Sequence, residues 1–226
     1  MADQSKKYRE AAKKVDPSLR YTVEEAVKVL KSLPKAKFDE TIEVAMRLGV
    51  DPKQADQIVR GSAALPKGLG KEVRVVAFCT GAMAEKAKAE GAIEAGAEEL
   101  AEKIQGGWMD FDIAVASPDM MRHVGKLGRI LGPQGKMPSP KSGTVTENVA
   151  AAVREFRAGR IEYRNDATGN VHAPVGKMSF AEEDIKQNVE AFIAHILASK
   201  PSAIKGTFVI AAYLSSTMSP SLRLAV

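Results

Sequence analysis

Between residues 38 and 50 the large apolar side chains keep to even positions, with Phe38, Ile42, Val44, Met46, Leu48 and Val50 alternating against Asp39, Thr41, Glu43 and Arg47. Side chains of a strand point to opposite faces in turn, so this pattern predicts a half-buried strand. Upstream the period is helical. Val23, Ala26, Val27 and Leu30 share one face, and Thr22 with Glu25 forms a T-x-x-E capping box that starts the helix. A second strand is predicted over residues 57–65. After PKGLGK at residues 66–71 the alternation gives way to nearly continuous apolar runs, VRVVAFC at 73–79, interrupted only by Arg74, and FDIAVA at 111–116, interrupted only by Asp112. Such runs suit strands covered on both faces. Ala/Glu/Lys-rich helical stretches separate them, with a short apolar step at 92–95 and a helix at 97–105. Ser117-Pro118 reads as a cap and first helical position, and Thr146 as the cap of a helix carrying Val149, Val153 and Phe156.

Alternation returns after Ala158-Gly159-Arg160. IEYR, the turn NDATG and NVHAPVGK predict a hairpin; Ser179 and Glu182 predict a capping box for a helix with Ile185, Val189, Phe192, Ile193 and Ile196 inward; residues 207–218 predict a last strand. Neither terminal segment has enough elements for a core of its own. The expected organisation is therefore an α+β domain built from both termini, residues 1–67 and 160–226, with a Rossmann-like α/β domain inserted at 68–159. Gly68, Gly70 and Gly159 lie at the two crossings, as a two-stranded hinge requires.

Charge sharpens this picture through its distribution, because the net value is only +5. Residues 85–119 carry nine carboxylates against three lysines, whereas residues 120–160 carry eight basic residues against two acids. Within the basic half, VGKLGRILGPQGKMPSPKSGTVT at 124–146 has five glycines, three prolines and no carboxylate. Proline restricts and glycine permits, so this is a shaped loop presenting Lys126, Arg129, Lys136 and Lys141 to a polyanion. The first 37 residues, with ten basic residues against five acids, form a second cationic region.

Catalytic patterns fail. Gly68-Leu69-Gly70 precedes its strand and has Val73 where a dinucleotide fingerprint needs its third glycine. Ile130 stands five residues before Gly135, and Met137 follows Lys136, so there is no phosphate-binding P-loop. Three histidines, His123, His172 and His195, and one cysteine, Cys79, offer no metal-ligand spacing. Neighbouring carboxylates such as Glu98/Glu99 and Glu182/Glu183 do not face each other on a helix. No enzyme and no cofactor are expected. A lone buried cysteine, no membrane-length apolar run and an opening without an apolar signal core lead to the expectation of a cytoplasmic protein.

Taken together, KFDETIEV at 37–44, VRGSAALPKGLGK at 59–71, GWMDFDIAVASPD at 107–119, LGRILGPQGKMPSPKSGTV at 127–145, AGRIEYRNDATGNVHAPVGK at 158–177, KPSAIKGTF at 200–208 and SSTMSPS at 215–221 resemble one family over nearly the whole chain. It is the bacterial large-subunit ribosomal protein L-one family, proteins of the mobile stalk beside the tRNA exit site. The resemblance implies a two-domain fold with a nucleotide-free Rossmann-like insert. It also implies a main rRNA site at Lys37, Phe38 and Thr41, at Arg164, Asp166 and His172, and at Ser215, Thr217, Met218 and Ser219. Lys126, Arg129, Lys136 and Lys141 would make further RNA contacts from the insert. The implied partners are large-subunit rRNA, exit-site tRNA and the protein's own operon mRNA, for a chain that is monomeric when free and belongs to the 50S subunit. Two departures stand out: Ser219 where the family reads T-M-G-P, and Gln134 with Lys136 where it reads G-P-R-G-L. From the residues alone, the alternative is a general nucleic-acid-binding α/β protein acting through charge.

Overall fold

The computed structural model describes residues 5–54 and 56–226. The first four residues of the basic opening segment lie outside it. In chain order the elements are α1 (Lys6–Lys14), α2 (Val23–Ser32), β1 (Thr41–Leu48), β2 (Arg60–Ala64), β3 (Val75–Phe78), α3 (Ala82–Ala89), β4 (Glu94–Gly96), α4 (Glu98–Gln105), β5 (Ile113–Ala116), α5 (Met121–Lys126), α6 (Gly128–Leu131), α7 (Val149–Ala158), β6 (Arg160–Arg164), β7 (Asn170–Lys177), α8 (Glu182–Ala198), β8 (Val209–Ser216) and β9 (Leu222–Leu224). The residues through Gly70 together with Ile161–Val226 make one compact unit, and Lys71–Arg160 make a second that interrupts it in sequence.

The first unit is organised by a four-stranded antiparallel sheet in the order β7-β1-β8-β9. Ile42, Val44, Met46 and Leu48 are buried with Val171 and Ala173 of β7 and Ala212 and Leu214 of β8. Against that face lie Ala26, Val27 and Leu30 of α2 and Ile185, Val189, Phe192 and Ile196 of α8. The opposite face carries Glu43, Arg47 and His172 and is exposed. The alternation starts at Thr41 and not at Phe38, whose side chain is 55% exposed. The capping box at Thr22 and Glu25 is present in both directions.

The second unit is a parallel sheet in the order β4-β3-β5 with helices on both faces. Along β3 the parity decides the partner layer. Val76 and Phe78 pack with Leu100 and Ile104 of α4, while Val75 and Ala77 pack with Ala87 of α3 and Val153 and Phe156 of α7. Two buried faces on one strand leave no polar position, hence the continuous apolar run. Cys79 is fully buried at its end, and burial pushes its thiol pKa up.

Four local expectations change. The segments around NDATG do not form a hairpin ladder: β6 pairs with β2, β7 pairs with β1, and a single bridge, Asn165 to Val171, links them. Asn165 diverts β6, since its amide donates to the Val59 carbonyl and its side-chain oxygen accepts from the Val59 amide, both at 2.9 Å. Asn148, not Thr146, caps α7 by accepting from the Ala151 amide; Thr146 accepts from the amide of Asn148 one step earlier. Ser179 does not cap α8, which starts from Ala181 without a side-chain cap, because its hydroxyl is held by Asp39. Finally, α1 is an additional helix whose charged sequence hides a narrow apolar side at Ala11. Lys7 and Lys14 fasten it by donating to the carbonyls of Lys35 and Ser32.

Asn188 was silent in sequence. It is fully buried on α8, accepts from the Lys67 amide (3.0 Å) and donates to the carbonyls of Gly68 (2.9 Å) and Val175 (2.8 Å). The chain leaving the first unit is thus tied to α8 through Lys67 and Gly68. Gly68 and Gly70 adopt φ of 67° and 68°, and Gly159 ends α7 at φ 114°, values that favour glycine.

Candidate nucleic-acid interface

Antiparallel pairing explains how residues nearly 180 apart meet. β1 begins where β7 and β8 end, so residues 37–41, 177–179 and 215–219 gather at one end of the sheet. Thr41 and Thr217 are joined three ways: the Thr217 amide donates to the Thr41 carbonyl (3.1 Å), the Thr41 amide donates to Thr217 Oγ1 (3.1 Å), and that hydroxyl donates to the Thr41 carbonyl (3.3 Å). Lys177 Nζ donates to Thr41 Oγ1 at 2.8 Å. Ser179 donates its amide and its hydroxyl to the two carboxylate oxygens of Asp39, at 3.1 and 2.8 Å.

Beneath this surface lies Glu40, 3% exposed. Its Oε1 accepts from the Ala36 amide at 2.7 Å; its Oε2 accepts from Ser216 Oγ at 2.6 Å and from the Met218 amide at 3.2 Å. Burial alone would raise its pKa, but the Ser216 hydroxyl, the two amides and the charge of Lys7 outweigh it and hold the carboxyl below the ordinary glutamate value. Glu40 therefore binds the 36–41 segment to the 216–218 segment as a buried anion. Sequence reasoning missed it although a signal existed: Glu40 has the parity of Ile42, Val44 and Met46, the buried side of β1.

Around that anchor the expected residues stand in different states. Lys37 is exposed, and among the described residues it makes no ion pair. Phe38 and Met218 are 55% and 56% exposed, so neither is a core residue. Ser219 needs no positive φ, and its hydroxyl closes its own turn by accepting from the Ser216 amide at 2.8 Å and donating to the Pro220 carbonyl at 3.0 Å. Ser215 lies opposite Glu43 and His172 opposite Ala45, which carries the candidate strip onto the exposed sheet face.

Arg164 and Asp166 are not brought to this end. β7 starts at Asn170 opposite Arg47, six residues along β1 from Thr41, or about 20 Å at the rise of a strand. Arg164 is exposed there at the end of β6. The Asp166 carboxylate is filled from within its own turn: Oδ1 accepts from the Thr168 amide, the Thr168 hydroxyl and the Asn170 amide, each at 2.8 Å, and Oδ2 accepts from Asn170 Nδ2 at 3.2 Å. These bonds, led by the Asn170 amide, hold its pKa well below the usual carboxylate range. Asp166 shapes the turn. Asp166→Ala is expected to speed amide hydrogen exchange at Thr168 and Asn170, while Asp166→Asn, which keeps the Oδ1 acceptor, stays near wild type. Equal exchange in the two variants would remove this role.

In the second unit, Lys126 ends α5, Arg129 lies in α6 and Lys141 in a 3-10 turn; all three are exposed, with no ion pair among the described residues. Lys136 differs. It is half-buried, donates to the Met109 carbonyl at 3.2 Å and stands 4.9 Å from the Phe111 ring centre, so its charge is partly committed to the fold. The loop is shaped by Thr144, 1% exposed, whose Oγ1 accepts from the Ser139 amide at 2.9 Å. Gly135 and Gly143 turn the chain at positive φ.

Among the described residues no cluster of three or more His, Cys, Asp or Glu could hold a metal ion, and no helix is long and apolar enough to cross a membrane. The assembled surface is one of hydroxyls, lysines and two exposed apolar side chains over a buried carboxylate.

Comparison with known proteins gives consistent matches. The ribosomal protein L1p/L10e family matches residues 30–220. The large ribosomal subunit protein uL1 of Kosmotoga olearia is 51% identical over 224 residues, 99% of this chain and 97% of that protein. The protein of the same name from Thermus thermophilus is 52% identical over 225 residues, 99% of this chain and 98% of its own length.

Proposed function

The chain belongs to the ribosomal protein L1p/L10e family, and on that basis we propose that it is a structural constituent of the large ribosomal subunit, holding large-subunit rRNA on its first unit. It is a structural protein and not an enzyme. The observation that carries the rRNA reading is the convergence of residues 37–41, 177–179 and 215–219 at one sheet end, fixed from below by Glu40. Lysines there contact phosphates, and hydroxyls and main-chain groups read 2′-OH and base edges, so that a folded RNA is recognised by shape. His172 extends the contact along the exposed sheet face, Arg164 adds a cation at the end of β6, and Asp166 orders the turn between them.

The second unit turns Lys126, Arg129 and Lys141 toward further rRNA or the departing exit-site tRNA, with Lys136 contributing less. Rotation about the crossings at Gly70 and Gly159 lets the stalk move with the tRNA as it leaves. Gly68, tied by Asn188, stays with the first unit. When free protein accumulates, the same site binds an rRNA-like fold on its own operon mRNA and represses translation. Its place of work is the cytoplasmic ribosome.

The test is a salt titration with a folded large-subunit stalk rRNA fragment and an unrelated duplex RNA. A preference for the stalk fragment that persists at high salt is expected; equal and steeply salt-dependent binding to both would leave a binder acting through charge alone. Lys37→Ala is expected to weaken binding and to reduce the salt slope by about one phosphate contact. Unchanged affinity across the series would remove Lys37 from the site.

A further inference from the structure

Beside the sheet end runs a groove of ≈ 440 Å³ whose far wall is the first turn of α1. Lys6, Lys7 and Lys37 line it together with Phe38, Met218 and Ser219, and no carboxylate lines it. Phe38 and Met218 are large apolar side chains left more than half exposed, an arrangement with a cost unless something covers them. α1 lies outside residues 30–220 and outside the motifs that carry the resemblance, although the uL1 relatives align across it. Its position is nevertheless built: Ala11 is buried, and Lys7 and Lys14 bind the carbonyls of Lys35 and Ser32. Lys7 is thus partly committed to the fold, through the Lys35 carbonyl and the nearby Glu40 carboxylate, while Lys6 is exposed beside it and makes no such bond among the described residues.

We propose that this groove takes an unpaired nucleotide of the bound RNA, with its base against Phe38 and Met218 and its phosphate toward Lys6, so that α1 forms a third wall of the RNA site. This rests on the rRNA reading above. The occupant follows from the chemistry of the walls. Lys6 and Lys37, with no acid on the groove wall, select an anion, and an exposed aromatic ring beside a polarisable thioether suits the flat face of a base, which unpaired RNA offers and a duplex does not. The groove is continuous with the candidate site through Lys37, Phe38, Met218 and Ser219, so a strand of RNA on that site needs only one nucleotide turned outward to enter it.

The experiment compares Lys6→Glu with Lys13→Glu in the full chain, using the same stalk fragment over a salt series. Both substitutions change the charge of α1 equally, but Lys13 does not line the groove. The pair also separates contact from folding. A carboxylate is favourable in the first turn of a helix and unfavourable in the last, so any loosening of α1 belongs to Lys13→Glu. The expected result is a loss of affinity on the order of tenfold or more in Lys6→Glu, with a smaller salt slope and only a slight loss in Lys13→Glu. Specific wild-type binding with equal losses in the two variants would overturn the groove and leave the rRNA site standing. Absence of specific binding in the wild type would overturn both.

Discussion

Replacing Glu40 with alanine is expected to destabilise the first unit by about 3 kcal/mol or more and to weaken RNA binding with it. The substitution strands the Ala36 and Met218 amides and the Ser216 hydroxyl, which the carboxylate now satisfies, and each hydrogen bond to a charged acceptor is worth about 1.5–3 kcal/mol. Both surface segments lose their common anchor, so Phe38 and Met218 should lose their fixed placement. Glu40→Gln should fall between, because one amide oxygen remains while an NH₂ group faces existing donors. The pH dependence has a definite sign. Because the native pKa is depressed, the contribution is complete above the unfolded value of about 4.3 and is lost as pH falls through the lower native value. Urea unfolding between neutral and acid pH checks this: the acid loss should be smaller in Glu40→Gln than in the wild type. Parallel curves would show that the carboxylate contributes nothing as an anion.

Asn188→Leu is the second large effect expected, at about 2–4 kcal/mol. Leucine matches the volume, but the Lys67 amide and the Gly68 and Val175 carbonyls lose their partner in a fully buried position. Trp108, the only tryptophan, lies in the second unit and supplies a separate readout. Far-UV circular dichroism should show an earlier transition for the first unit while the Trp108 fluorescence transition stays in place. An equal shift of both would contradict an effect confined to the first unit.

The sequence by itself determined the elements whose partners leave a periodic mark. The even-numbered apolar positions of β1, the unbroken run of β3 and the one-sided faces of α2 and α8 each report how many faces are covered, because the backbone period maps position onto direction. It also determined the chemistry on offer: lysines, hydroxyls and glycines without a catalytic constellation. Partner choice was another matter. NDATG is a turn whichever strands flank it, and only Asn165, bonded to Val59 across more than a hundred residues, sends β6 to β2 and leaves β7 to β1. Ser179 satisfies a local capping rule, yet Asp39 takes its hydroxyl. α1 shows little apolar face because two of its lysines act as fasteners to carbonyls. The candidate site belongs to the same class. Lys37, Thr41, Thr217 and Met218 could be named from motifs, but Glu40 beneath them and the groove beside them exist only once antiparallel register joins the start of β1 to the ends of β7 and β8. A hydrogen-bond partner far away in sequence imposes no period on the chain, so the tertiary structure alone decided which polar groups are anchors and which remain free to meet RNA.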